Sequence, residues 1–349
     1  MDRGALFGFE QACGWFVRQD GLFPDRRAGL TSNRLVVALA AGALLALGAC
    51  SKPPEGATSG PAPGASNAAG AVTIGVSIQD LQAQFYKAME KGMQDEANKY
   101  GYAISFTDAN RDQNRQTSQV EDFISKHVSA IILTPVDSKA VGPAIVEANN
   151  AKVPVFTADI ASTASSGTVV SHIASDNVQG GRVAADLMCK ALGNSGTVAI
   201  IDQPEVTSVQ DRVKGFKTEL AAKCPDVKIV ADQTAGGDRA RALTVMDNLL
   251  QTYPSLNGVF GINDDSALGA LAAVRTAGKA GAIKIVGYDA TPEAKKAIDA
   301  GDMAGDPEQH PEVIGKLTID AIHDSFMGKT PAAKIPVSVG AYTGKAPAK

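Results

Sequence analysis

The chain has 349 residues, room for about two domains. Its apolar fraction of 44% and charged fraction of 20% suit a globular protein with a sizeable core. A formal net charge of −4, with no stripe of Lys or Arg, argues against a nucleic-acid surface.

The N-terminal stretch comes first. Leu35–Ala49 (LVVALAAGALLALGA) is apolar and uncharged and follows Arg34. It is shorter than the roughly 20 residues of a membrane-spanning helix and reads as the core of a secretory signal. It ends in Leu47-Gly48-Ala49-Cys50. Small residues before a Cys resemble the lipobox of bacterial lipoproteins, which implies a lipid on Cys50. The plain alternative is an ordinary signal with an incidental Cys. Ser51–Ala71 is rich in Pro, Gly, Ser and Ala, cannot bury a core, and reads as a flexible tether. Met1–Leu30 holds the only Trp, Trp15, and shows no clear period, so translation is expected to start near Leu30. Residues 1–50 are therefore assigned to leader and lipoprotein signal, and 51–71 to a tether.

From Val72 short β-branched runs alternate with helix-length amphipathic stretches. Strands are expected at Val72–Ile78, Ala103–Thr107, Ala130–Leu133 and Val153–Thr157. Helices are expected at Phe85–Tyr100, Gln113–His127 and Ser138–Asn150. A second series follows, with helices at Asp176–Leu192, Val209–Lys223, Arg239–Gln251 and Ala267–Ala277. Its strands are Gly196–Ile201, Val227–Ala231, Gly258–Gly261 and Ile283–Gly287. This alternation predicts an α/β fold of two similar lobes, each a doubly wound parallel sheet. Continuous apolar runs such as Ala130–Leu133 fit strands covered on both faces.

Cys189 and Cys224 each close a predicted helix beside the strand Thr197–Ile201. An exported protein permits a disulfide between them; two buried thiols fit equally well. No CxxC or Cys/His cluster occurs, so no metal and no cofactor are expected. His172 and His310 are read as structural or rim residues.

In open α/β sheets, ligands bind beyond the carboxyl ends of the strands. Those exits here carry Gln79-Asp80, Asp108-Ala109-Asn110, Thr134, Asp159, Asn263-Asp264-Asp265 and Tyr288-Asp289. Polar residues at nearly every exit point to a ligand cleft between lobes. Asp108 and Asp265 are read instead as caps of the following helices. No G-x-S-x-G, P-loop, G-x-G-x-x-G or H-E-x-x-H occurs, and nothing nominates a nucleophile, so no enzyme is expected.

Four stretches at these positions carry a family likeness: VVSHIASDN (Val169–Asn177), QDRVKGF (Gln210–Phe216), VFGINDDSALGAL (Val259–Leu271) and IVGYDATPE (Ile285–Glu293). In order and spacing they resemble the ribose-type periplasmic sugar-binding proteins, the substrate-capturing components of ABC importers. The likeness implies a type I periplasmic binding protein fold with three hinge crossings. Lobe one would be 72–173 plus 310–338, and lobe two 174–309 plus 339–349. It further implies a monomer that captures a small sugar or polyol, closes on it, and meets an ABC permease on the outer side of a bacterial membrane. The alternative output is a signal to a membrane receptor or sensor kinase. A repressor of the same fold would need a DNA-binding segment where the signal and tether stand.

The resemblance maps site residues one by one. Phe85 and Tyr86 match an aromatic pair opening the first helix. Asp159 matches a strand-exit carboxylate, and Arg212 the Arg of R-x-x-G-F. Asn263 matches an amide, Tyr288-Asp289 an aromatic–carboxylate pair, and Gln309 a hinge amide; Gln79 and Thr134 complete the expected set. Hydroxyl-rich ligands need donors and acceptors together, and a hydrogen bond to a charged partner contributes about 1.5–3 kcal/mol. Each position also has a plain use: Phe85 in the core, Arg212 in an ion pair. Five positions depart from the ribose pattern. Ile160 replaces an Arg, Thr134 and Ala83 replace amides, Gln79 replaces a small hydroxyl residue, and Gly237 stands at an aromatic wall. They predict a pocket wider on one side and less basic, suited to a hexose or cyclitol rather than ribose.

Overall fold

The computed structural model describes residues 71–345. Trp15, the signal core, Cys50 and all of the tether before Ala71 lie outside the described residues. The first series runs β1 (Thr73–Ile78), α1 (Gln84–Tyr100), β2 (Ala103–Asp108), α2 (Gln113–Ser125), β3 (Ala130–Leu133), α3 (Gly142–Asn150), β4 (Val155–Ala158) and β5 (Val169–Ser175). With β11 (Lys334–Val337) these strands form a six-stranded parallel sheet in the order β11-β5-β4-β3-β1-β2.

Period-two alternation splits the apolar side chains between two faces. Ile74, Val76, Ile78 and Ile132 pack with Met89 and Met93 of α1 and with Ile314 and Ile322 of α9 (Pro311–Phe326). Ile131 and Leu133 pack with Phe123 of α2 and Ile145 of α3. Both faces are covered, as the continuous apolar runs require.

The second series runs α4 (Asn177–Leu192), β6 (Ser195–Asp202), α5 (Thr207–Lys223), β7 (Asp226–Thr234), α6 (Arg239–Thr252), β8 (Gly258–Gly261), α7 (Asp264–Thr276), β9 (Lys284–Val286), α8 (Pro292–Asp299) and β10 (Asp306–Glu308). Its parallel sheet has the order β7-β6-β8-β9. β10 pairs antiparallel with β12 (Gly340–Tyr342), and bridges from Val286 to Gly305 and Asp289 to Glu308 join this pair to the end of β9. The chain passes between the two sheet systems after β5, after β10 and after β11.

Glycines bring α4 and α5 together. A Cβ on Gly181 would lie 2.0 Å from the Arg212 carbonyl oxygen, and one on Gly215 would lie 2.2 Å from that of Val178. This close approach sets where Arg212 emerges. Cys189 on α4 and Cys224 just past α5 are disulfide-bonded, with Cα atoms 6.0 Å apart, which resolves the open alternative.

Two sequence expectations change. The helix predicted from Ser138 begins only at Gly142, because Ser138 serves another element: its Oγ accepts from the Thr207 amide at 3.0 Å. That amide opens α5, whose own N-cap, Val206, has no side-chain oxygen to offer. Periodicity also placed no strand at β5 and no strand after β9. β5 carries Ser171, His172 and Ser175 among its apolar residues, and β10 and β12 have three residues each, too few to show a period.

Candidate functional site

The carboxyl ends of both sheets face a common cleft holding about 570 Å³, partly open to solvent.

Lobe one contributes from three strand exits and the start of α1. Phe85 and Tyr86 meet edge to face, with ring centroids 5.2 Å apart, and both are buried. Tyr86 Oη donates to Asp159 Oδ2 at 3.0 Å and lies 3.4 Å from Gln79 Oε1. Asp159 Oδ1 is buried without a described hydrogen-bond partner. Burial lifts the Asp159 carboxyl above its ordinary pKa, against the opposing pull of Arg212. Tyr86, buried beside Asp159, is raised well above its own ordinary value.

Lobe two contributes a hydrogen-bonded group. Arg212 Nε donates to Asn177 Oδ1 at 2.9 Å and Nη1 to the Ile262 carbonyl at 2.8 Å. Its guanidinium carbon sits 3.9 Å from the Tyr288 ring centroid, a cation–π contact. Asp289 Oδ1 lies 3.9 Å from Arg212 Nη1 and accepts from Gln309 Nε2 at 2.7 Å. Burial, then the nearby Asp264 charge, raises Asp289 well above the usual carboxylate range. Gln309 also lines the cavity, and its Oε1 is buried without a described partner. Asn263 serves both the fold and the cleft. Its Oδ1 caps α7 by accepting from Ser266 at 2.9 Å, and its Nδ2 donates to Gly237 at 3.1 Å. One amide proton remains for a ligand.

Three charged lining residues have left-handed backbones: Arg111 (φ 57°), Asp159 (φ 64°) and Asp289 (φ 120°). Such conformations cost on the order of 1–3 kcal/mol each and persist where surrounding structure over-determines them. Asp159 is held by its amide to Ile173 at 2.8 Å, and Asp289 by its amide to Pro307 at 3.0 Å.

The lobes also touch directly. Besides the Ser138–Thr207 cap, the Ser138 amide donates to Glu205 at 3.1 Å, and the Ala161 amide to Thr207 Oγ1 at 3.1 Å. On the far edge Arg111 reaches Gly236 and Gly237.

Of the expected residues, Gln79, Phe85, Tyr86, Asp159, Arg212, Asn263, Asp289 and Gln309 line one cavity. Tyr288 and Thr134 do not. Tyr288 is fully buried behind Arg212, with Oη 3.3 Å from Asn177 Oδ1. Thr134 is fully buried beneath the β3 exit, its amide bonded to Ser77. Asp108 caps no helix: Oδ1 accepts from Leu81 and Asn110, while α2 is capped by Asp112. Asp265, also read as a cap, lines the cavity and bonds Arg239.

The expected wide, less basic side is corrected too. Ala83 and Ile160 line the cavity as small and apolar groups, but Gly237 opens no space. A Cβ there would lie 2.6 Å from Gln203 Oε1 and 3.2 Å from Arg111 Nη1, so those side chains fill the volume. Arg111 and Arg239 join Arg212 in the lining. The strand-exit rule had the signal for two missed residues. Arg111 follows the β2 exit directly after Asn110, and Gln203 is the exit of β6. Arg239 opens α6 and gave no such signal.

Comparisons with known proteins agree with this architecture. The periplasmic binding protein domain family matches residues 74–330. The ribose import binding protein of Bacillus subtilis (strain 168) is 38% identical over 258 residues, covering 74% of this chain and 82% of that protein. A Caulobacter myo-inositol binding protein, solved with myo-inositol, is 34% identical with a TM-score of 0.73, covering 78% of this chain and 93% of the other. A periplasmic solute binding protein of an ABC transporter from Actinobacillus succinogenes, solved with D-allose, is 29% identical with a TM-score of 0.72 and covers 77% and 96%. With two parallel-sheet lobes, three crossings and a polar cleft at the strand exits, the chain belongs to the periplasmic binding protein family, in its type I fold.

Proposed function

We propose that this protein captures an uncharged monosaccharide or cyclic polyol by closing its lobes and hands it to an ABC permease. One observation carries the reading. Asp159 Oδ1 and Gln309 Oε1, buried and without described partners, belong to residues lining a cavity that also holds Arg212, Asp289 and the Phe85 wall. A buried acceptor left unmade costs about 1–3 kcal/mol, and ligand hydroxyls are donors of the right kind. Arg111 is paired with Asp80 and Arg239 with Asp265 and Glu293, and Arg212 is held between Asn177, Tyr288 and Asp289, which favours a neutral ligand over a sugar acid or phosphate. A ligand touching both lobes stabilises the closed arrangement by its differential affinity.

A six-membered ring is favoured over ribose, because Ala83 and Ile160 leave an apolar, less crowded stretch of wall where an amide and an Arg would crowd a pentose. The relatives named for ribose and solved with myo-inositol or D-allose bracket this choice. The protein would act as a monomer, exported and held to the membrane by lipid on Cys50, with no chemistry performed on the ligand. Calorimetric titration of the purified protein with pentoses, hexoses and inositols tests this. Tightest binding to ribose sinks the ring-size preference, and no binding across the panel sinks the ligand class.

A further inference from the structure

Arg111 stands outside the set of residues carried over from the sugar binders, yet it bonds both lobes across the cleft edge. Its Nε and Nη2 bond Asp80 Oδ2 on its own lobe at 3.0 and 2.9 Å. From that anchor Nη1 donates to the Gly236 carbonyl and Nη2 to the Gly237 carbonyl, at 3.1 Å, on the other lobe. Gly236 and Gly237 are consecutive left-handed residues, with φ of 63° and 67°. We propose that Arg111 is a latch that stabilises lobe closure and is the specificity-determining wall on the Gly237 side of the cavity.

Three features support the latch. Every partner is a protein group, so these bonds form whenever the lobes approach, whatever ligand lies between. The pair is mostly removed from water, with side-chain exposure of 20% for Arg111 and 14% for Asp80, so its charge-assisted bonds are weakly screened. A planar guanidinium can hold one carboxylate and two successive carbonyls at once; a Lys ammonium is a single point of charge. A latch that raises the closed fraction lowers the conformational penalty on ligand affinity.

The wall follows from volume. The guanidinium, beside Gln203 Oε1, occupies space that a side chain on residue 237 would take: Arg111 Nη1 lies 3.2 Å and Gln203 Oε1 2.6 Å from a Cβ there. It therefore limits ligand size on that side. This half rests on the binding reading above; the latch does not.

Small-angle scattering and calorimetry on wild type, Arg111→Ala and Arg111→Lys test the proposal. Without ligand, both variants are expected to show a larger radius of gyration than wild type. For the best-binding sugar of the panel, affinity should fall at least fivefold in Arg111→Ala. In Arg111→Ala a methyl glycoside of that sugar, or a mono-O-methyl ether where the best binder is an inositol, should gain at least fivefold relative to the parent. If Arg111→Ala does not fold, Asp80→Asn, which removes the anchor, should widen the ligand-free particle. Scattering superimposable on wild type in whichever variant folds overturns the latch. A glycoside or ether that gains nothing overturns the wall. If no panel sugar binds wild type, scattering still decides the latch, and the ligand-class reading has failed separately.

Discussion

On the second lobe's face of the cleft most polar groups hold one another, although Gln309 Oε1 and Asp264 Oδ1 are buried without a described partner. Arg212 is fixed by Asn177, Ile262 and Tyr288, Asp289 by Gln309, and Asn263 by Gly237 and Ser266. On the first lobe's face Asp159 has one tyrosyl hydroxyl and one oxygen with no described partner, and Phe85 offers only a ring. Lobe two is a preorganised recognition surface whose members support the fold. Lobe one is a cover whose polar demand a bound ligand would meet. Substitutions on the lobe-two face should therefore lower stability and affinity together, whereas those on the lobe-one face should lower affinity alone.

The sharpest test is Arg212→Ala. It leaves buried Asp159 and Asp289 without their cation, and breaking a buried pair costs about 3–5 kcal/mol. Denaturant unfolding should show that loss, and calorimetry a drop in affinity of two orders of magnitude or more. Unchanged stability would erase the contrast between the faces. Next is the Cys189→Ser/Cys224→Ser double variant. The bridge closes a 35-residue separation away from the cavity, so stability should fall by about 2–4 kcal/mol with affinity within twofold of wild type.

Asp159→Ala and Asp289→Ala should each weaken binding at least tenfold, about 1.4 kcal/mol. Asp289→Ala, which also strips Gln309 of its acceptor, should lower the melting temperature more than Asp159→Ala, which leaves Tyr86 Oη with Gln79 Oε1 at 3.4 Å. pH reports on the same pair. Burial raises both carboxyls, and ligand hydroxyls donating to the charged forms would pull them back down. Binding then releases protons. Affinity should rise with pH across the window between the ordinary carboxylate value and the raised ones, and weaken several-fold on acidification from neutral pH. A flat profile would mean the ligand does not donate to these groups. The smallest effects belong to Tyr288→Phe and Thr134→Val, which sit behind the cavity: affinity should change less than threefold. A tenfold loss in either would bring that residue back into the site.

The βα alternation, both sheets' parallel character and the location of the cleft were legible in the residues from Val72 onward. So were eight of its lining residues, once the family likeness was applied. Local physics explains this, because apolar periodicity and strand-exit polarity are properties of neighbouring residues. Tertiary structure alone decided the rest. Ser138 left its predicted helix to cap α5 in the other lobe, since α5 has no side-chain cap of its own. Tyr288 turned beneath Arg212 because the guanidinium needed a buried ring face. Gly237 made no room because Gln203 and Arg111, the latter 126 positions earlier in the chain and reaching across from the other lobe, fill it. Each outcome depends on two segments far apart in sequence meeting at one point, which no local pattern encodes.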